Sequence, residues 1–349
     1  MNKTNMFAAA VAGCVLVVGL IGINWLRDNK LSDFTQTKEI FVYPDTPSSV
    51  IVDSLLSGGG VRWPGRLAKV FRKHEVDTYR KAGHYVIQPG ATAVYAARMI
   101  NNGWQTPVRM TISGTLRKRG EIARKIANQM MVDSASVRAA FEDKELLAEF
   151  GFTPETAFAL LVPDTYEMYW TASVHDIFAK QYEAYQAFWT AENLEKARKL
   201  GLSQMEVSIV ASIVSGETNY VPEMPKIAGV YLNRIRKGMK LQADPTIAFC
   251  YDYEYIRIYK YMLSVDSPYN TYTHFGLPPA PIYVPTRNTL NAVLNPDFGG
   301  GNIFFCADPS MNGSHRFAKT YSEHLANARA FSKAMDKWMA EKKKKAKTS

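Results

Sequence analysis

The chain opens on its longest apolar stretch. Residues 6–26 contain one polar side chain, Asn24, before Arg27, Asp28, Asn29 and Lys30 end the run. As a helix this stretch would reach about 31 Å at 1.5 Å per residue, close to the ~30 Å hydrocarbon core of a bilayer. A cleaved signal peptide would have an apolar region of only ~7–15 residues and a small-x-small cleavage site. Here the run ends in Ile23-Asn24-Trp25-Leu26. Val11-Ala12-Gly13-Cys14 faintly resembles a lipoprotein box, but mostly apolar residues continue past it. The pattern therefore predicts an uncleaved membrane anchor within residues 1–30. Charge alone barely orients it: Lys3 lies before the run, and Arg27 and Lys30, offset by Asp28, lie after it.

Beyond the anchor the pattern shortens into small units. After a polar linker, Ile40-Phe41-Val42-Tyr43 reads as a strand, and Thr46-Pro47-Ser48-Ser49 opens a helix over 48–57 that Ser57-Gly58-Gly59-Gly60 stops. A strand at 84–87 precedes Gln88-Pro89-Gly90 and a helix over 93–102. A third strand at 108–112 precedes Gly114 and a helix over about 116–130. These look like three strand–turn–helix units. Gly83-His84-Tyr85-Val86-Ile87-Gln88-Pro89-Gly90-Ala91-Thr92 resembles the start of a LysM-type glycan-binding module, with Ala91 where an acidic residue is usual. A helix over 137–150 follows, then a junction at Val162-Pro163-Asp164-Thr165-Tyr166. Residues 172–200 read as helical, with Ile177, Phe178, Tyr182, Tyr185 and Phe188 at core spacing.

Chemistry enters at 203. Ser203 and Glu206 form a capping box, and the helix they open carries Val207, Val210, Ala211 and Val214 on one stripe, widened by Ile213. Glu217 lies three residues after Val214 and seven after Val210, which places its carboxyl on the buried side of the helix end. A carboxyl buried without a cation resists ionisation, and a carboxyl still protonated near pH 7 can act as a general acid. A glutamate that merely pairs locally near a helix end fits the spacing equally well. The polar and aromatic blocks that follow favour chemistry, because Tyr faces, amides and hydroxyls suit a sugar-binding groove.

Composition narrows the alternatives. The chain has 349 residues, 47% hydrophobic and 21% charged, which excludes a wholly disordered protein. Three cysteines exclude a disulfide scaffold; Cys250 and Cys306 could pair or stay as two thiols. Of the net charge of +10, residues 341–349 supply +4, from five Lys and one Glu, so the body is only modestly basic and shows no nucleic-acid-binding face. The six His are scattered without an HExxH, no GxSxG occurs, and no metal or cofactor is called for.

Residues 207–335 resemble the catalytic domain of the endolytic murein transglycosylase family (MltG, YceG-like). The matching blocks occur in order: Ala211-Ser212-Ile213-Val214-Ser215-Gly216-Glu217-Thr218, Tyr231-Leu232-Asn233-Arg234, Leu241-Gln242-Ala243-Asp244-Pro245-Thr246, Tyr269-Asn270-Thr271-Tyr272, Gly276-Leu277-Pro278-Pro279, Asn302-Ile303-Phe304-Phe305-Cys306 and His315-Arg316-Phe317. Tyr283-Val284-Pro285-Thr286 departs from the family's Asn-Pro-Gly after the Pro-Pro block, and the 250–266 segment has an aromatic character of its own.

The resemblance implies that Glu217 is the catalytic acid, that peptidoglycan glycan strands are the substrate, and that the active domain faces the cell wall from a single-pass inner-membrane anchor. On that reading Asn233, Gln242, Tyr269, Asn270, Thr271 and Tyr272 contact substrate or orient Glu217. Asp244 and Glu223 support the site, Arg234 meets a stem or lactyl carboxylate, and His315 lines the groove. The expected architecture is α+β: a transmembrane helix (1–30), LysM-like α+β modules (31–165), a mixed α+β catalytic domain (166–340) and a basic tail (341–349). Proteins of wall synthesis are the expected macromolecular partners. A wall-binding scaffold without turnover and a water-using muramidase are the competing readings.

Overall fold

The structure, a computed structural model, describes residues 3–255 and 257–348, with the side chains of residues 3–10, Asp28 and 341–348 outside that description. The chain forms two compact units: residues 1–110 with 167–172, and residues 111–166 with 173–349. The units part at 110–111. Residues 111–165, expected in the membrane-proximal region, therefore belong to the same unit as Glu217.

The first unit contains α1 (Lys3–Lys30), β1 (Lys38–Val42), α2 (Ser48–Leu56), α3 (Pro64–Lys73), α4 (Val76–Tyr79), β2 (Gly83–Ile87) and α5 (Ala93–Asn102). β1 and β2 pair antiparallel, with Ile40 opposite Tyr85. The predicted strands at 40–43 and 84–87 are thus one ribbon enclosing α2 and α3, which corrects the expectation of serial strand–turn–helix repeats. Its core is Phe34, Val42, Leu55, Leu67, Tyr85, Ile87 and Ile100.

In α1 the described side chains begin at Val11, so the apolar run is described over positions 11–26, about 24 Å of helix. Among the described residues no helix is long and apolar enough to cross a membrane. The side chains of positions 6–10 of the expected anchor, and those of the basic tail, lie outside that description. Val15, Leu16 and Val18 are each about two-thirds exposed (66, 66 and 67%).

The chain continues through β3 (Val108–Thr111), α6 (Arg119–Ala127), α7 (Ser134–Ala140), α8 (Lys144–Glu149), α9 (Ala157–Leu160), β4 (Thr165–Met168), α10 (Val174–Phe188), α11 (Ala191–Leu200), α12 (Gln204–Glu217), α13 (Met224–Arg236), α14 (Asp244–Cys250), α15 (Arg287–Leu294), β5 (Phe304–Ala307), β6 (His315–Ala318) and α16 (Tyr321–Thr348). The helix expected over 137–150 divides into α7 and α8, each opened by an aspartate N-cap, Asp133 and Asp143. The one expected over 172–200 breaks at Trp189, and Thr190 caps the second piece. The core of the second unit is built on α12, α13 and α15: Val207, Val210, Val214, Ile227, Leu290 and Val293 all lose nearly all solvent contact. All three cysteines are free thiols, so Cys250 and Cys306 do not pair.

Candidate active site

α12 begins as its sequence requires. The Ser203 hydroxyl accepts from the Glu206 amide, and the Glu206 carboxylate accepts from the Ser203 amide at 2.8 Å. Residues 207–214 are then buried on every side rather than along one stripe. The two serines among them are satisfied: Ser208 donates to the Gln204 carbonyl, and Ser212 donates to the Ile209 carbonyl while accepting from the Ile282 amide. Thr218 turns extended and ends the helix, leaving Glu217 in its last position. Gly216 is needed there because a Cβ would come within 2.6 Å of Pro245 and 2.9 Å of Tyr283.

Glu217 stands where three openings meet. One, of about 590 Å³, is walled by Thr115, Arg117, Asn219 and Tyr220. A second, of about 470 Å³, is walled by Tyr231, Arg234, Gln242, Asp244, Tyr272, Tyr321 and His324. The third, of about 620 Å³, is walled by Arg117, Pro245, Tyr255 and Arg257. A chain-like ligand can therefore pass Glu217 instead of ending at it.

The carboxyl itself is sunk among protein atoms, although the residue keeps some exposure to the cleft. Burial pushes its pKa up to about 7 and the negative charge of Asp244 adds to that, while a hydrogen bond from Tyr231 and the charge of Arg234 pull it back. Its place at the carbonyl end of α12, with no basic residue in the last turn, acts in the same direction as burial. The Tyr231 hydroxyl donates to Oε1 at 2.5 Å. α13 brings this about: Tyr231 and Arg234 lie three residues apart on one helix face, with Ile227 a turn earlier in the core.

Asn233, one step off that face, points elsewhere. Its amide donates to the Phe298 and Asn302 carbonyls, at 3.2 and 2.9 Å, so it ties α13 to a loop outside the cleft. Arg234 lines the cleft, but its guanidinium is largely committed, donating to the Ile303 and Leu241 carbonyls at 2.7 and 2.8 Å and to Gln242 Oε1 at 3.2 Å. Gln242 adopts the left-handed conformation (φ 51°), a strain of about 1–3 kcal/mol that functional walls commonly store.

The Tyr-Asn-Thr-Tyr block divides by role. Tyr272 lines the cleft and donates to the exposed Asp244 carboxylate. Asn270 is fully buried: it donates to the Leu263 and Val265 carbonyls and accepts from the Tyr272 amide. Thr271 accepts from the Ala243 amide and meets the Thr246 hydroxyl, pinning the start of α14. Tyr269 packs against Phe249 on the wall of a neighbouring cavity. Glu223 and His315 find each other outside the cleft. The buried Glu223 carboxylate accepts from the His315 amide and from Nδ1 at 2.9 Å, anchoring the β5–β6 ribbon.

Of the expected site residues, the structure brings Glu217, Arg234, Gln242, Asp244 and Tyr272 together. It assigns Asn233, Asn270, Thr271, Glu223 and His315 to holding the walls. Sequence reasoning missed Arg117, Tyr283 and His324. Arg117 lies a hundred positions before Glu217 with no local pattern to mark it; its guanidinium lies over the Tyr253 ring at 5.0 Å. Tyr231 lies in one of the blocks that carry the family resemblance, yet only the packing of α12 against α13 reveals its role. Among the described residues no group of three His, Cys, Asp or Glu side chains could hold a metal ion.

The site is thus a protonatable carboxyl in a polar, aromatic, through-running cleft of an α+β unit. The YceG-like family model matches residues 40–330, and the chain belongs to that family. It is 34% identical over 148 residues to the endolytic murein transglycosylase of Bacillus subtilis (strain 168), covering 42% of this chain and 38% of that one. It is 28% identical over 131 residues to the endolytic murein transglycosylase of Streptococcus pneumoniae, covering 36% and 23%. The matched region thus spans well under half the length of these curated relatives. The fold resembles the crystal structure of a YceG-like protein from Listeria monocytogenes, with a TM-score of 0.55 and 25% identity, covering 83% of this chain and 98% of that one.

Proposed function

We propose that the protein is a membrane-anchored endolytic lytic transglycosylase of peptidoglycan. The observation that carries the reading is the Glu217 carboxyl, held near neutrality by burial at the meeting point of three openings. In the proposed reaction Glu217 gives its proton to the glycosidic oxygen between N-acetylmuramic acid and N-acetylglucosamine, and the C1–O bond breaks. The C6 hydroxyl of the same muramyl ring attacks C1 and returns its proton to the Glu217 carboxylate. The nucleophile is tethered to the reacting ring, so its effective molarity is high and no water is consumed. The product is a 1,6-anhydro-muramyl end, and the enzyme emerges protonated as it began. Tyr231 holds Oε1 in place through both proton transfers. Tyr272, Gln242 and Asp244 face the strand. Cuts within nascent strands would limit their length.

The exposed apolar side chains of α1 between Val11 and Leu26 are the support for an anchor holding the enzyme at the inner membrane with its body on the wall side. The first unit then serves as a LysM-like spacer that touches glycan, and wall-synthesis proteins are the expected neighbours. A second reading has one specific observation behind it: Asp244 shares the cleft with Glu217 and could activate water in a muramidase. Mass spectrometry of purified glycan strands after incubation tests both. Anhydro ends support the transglycosylase. Reducing ends, heavier by one water, support the muramidase, and uncut strands overturn both.

A further inference from the structure

A cavity beside the cleft has about 680 Å³, within the range of ligand-binding pockets, and it shares Arg117 and Tyr253 with one of the openings at Glu217. Its walls differ in kind from the cleft. The cleft offers tyrosines and amides, whereas this cavity is lined by five basic and four acidic side chains. Two pairs neutralise each other: Lys118 with Asp252 at 3.1 Å, and Arg119 with Glu142. Arg117, Arg124 and Arg138 remain, and among the described residues no carboxylate forms an ion pair with them. Arg124 and Arg138 are exposed. Glu121 and Glu155 supply the remaining negative charge.

In a stem-bearing strand the lactyl carboxyl is tied up as an amide and the sugar rings carry no charge, so a wall of this kind is ill suited to another sugar ring. The peptide stem on the lactyl group of N-acetylmuramic acid is suited to it. A stem carries free carboxylates and, at its diamino acid, an amino group, and it leaves the strand from the ring that reacts. We propose that this cavity receives the peptide stem of the muramyl residue at the cleavage point. Arg124 and Arg138 take its carboxylates, and Arg117 marks the junction with the cleft. This role falls to Arg117 and its neighbours rather than to Arg234, whose donors are already taken by carbonyls and Gln242. The enzyme then distinguishes stem-bearing from stripped strands, an inference that rests on the transglycosylase reading above.

The test compares intact glycan strands with strands freed of stems by an amidase. The wild-type protein is expected to show kcat/KM at least fivefold higher on stem-bearing strands, chiefly through KM. In R124E/R138E, two substitutions of exposed side chains, that ratio is expected to fall below twofold while the melting temperature stays unchanged. Equal kcat/KM on both strand types in the wild type, or a full preference retained in R124E/R138E, overturns the proposal. Binding of the two preparations to Glu217→Gln, measured without turnover, separates the two readings. Equal binding overturns the stem pocket even where cleavage is seen. A fivefold binding preference without any wild-type cleavage supports the pocket and overturns the reaction.

Discussion

Replacing Glu217 by Gln removes one ionisation and little volume, so its effect on stability has a calculable pH dependence. An ordinary glutamate titrates near 4.5, and in the folded protein burial moves this one to about 7. A carboxyl whose folded pKa is raised binds its proton more tightly folded than unfolded. Its contribution is therefore fully present below the unfolded pKa and is lost as pH rises through the folded value. Each unit is 1.36 kcal/mol, so the wild type should lose about 3 kcal/mol between about pH 4.5 and pH 7 from this group alone. Glu217→Gln has nothing to lose there. The variant should match the wild type or fall slightly below it at pH 4, and exceed it by about 3 kcal/mol at pH 8. For a unit of this size that is roughly 6–12 °C in the transition of the second unit. Calorimetry or urea unfolding at pH 4, 6 and 8, on both proteins, measures it. A difference that stays constant across the three pH values would mean that Glu217 titrates as an ordinary exposed carboxylate, and the general-acid argument would fall with it.

Tyr231→Phe removes the hydrogen bond that favours ionised Glu217; the basic limb of the kcat/KM profile should move up by about one pH unit, with the fold intact by circular dichroism. Asp244→Asn removes a negative neighbour, so the same limb should move down by a fraction of a unit while anhydro products persist; complete loss of cleavage would instead favour the muramidase. Asn233→Ala strands two backbone carbonyls and should cost about 1–3 kcal/mol in urea unfolding with KM unchanged. Gly216→Ala drives a methyl into Pro245 and Tyr283; a lowered kcat, together with about 1–3 kcal/mol of destabilisation, is expected from steady-state kinetics and thermal melts.

What could be read from the sequence followed local rules. The capping box at Ser203 and the placement of Glu217 need only residues within a few turns, and both recur in the structure, whereas the expected stripe along α12 gives way to burial on every side over 207–214. The break at Thr190 was also written locally, as an N-cap, but the continuous stripe from Ile177 to Phe188 hid it. Pairing was a different matter. The strands at 40–43 and 84–87 looked like the starts of two units because nothing in either segment names its partner across the intervening helices. Side-chain roles failed in the same way. Asn233, Asn270 and His315 carry suitable chemistry, yet their donors and acceptors are used by carbonyls, amides or Glu223 that only the folded chain brings near. Arg117 was invisible for the converse reason, being placed by a backbone bond between Leu116 and Val284 that joins distant segments.

A single carboxyl that must first give a proton and then take one back has narrow requirements. Near its ordinary value it would be almost wholly ionised at neutral pH and would seldom have a proton to give. Raised far above neutrality, its proton would be held too tightly to leave. The cleft sets two opposed pairs of influences against each other: burial and Asp244 raise the affinity, while Tyr231 and Arg234 lower it. Arg234 can lower it without forming a direct pair because its guanidinium is fixed by carbonyls and Gln242 beside the acid. A direct ion pair would hold Glu217 ionised and leave the site without a donor. The carbonyls that occupy Arg234 therefore help keep the proton available, and the loops that supply them, 241–242 and 303, support the chemistry from outside the reacting atoms.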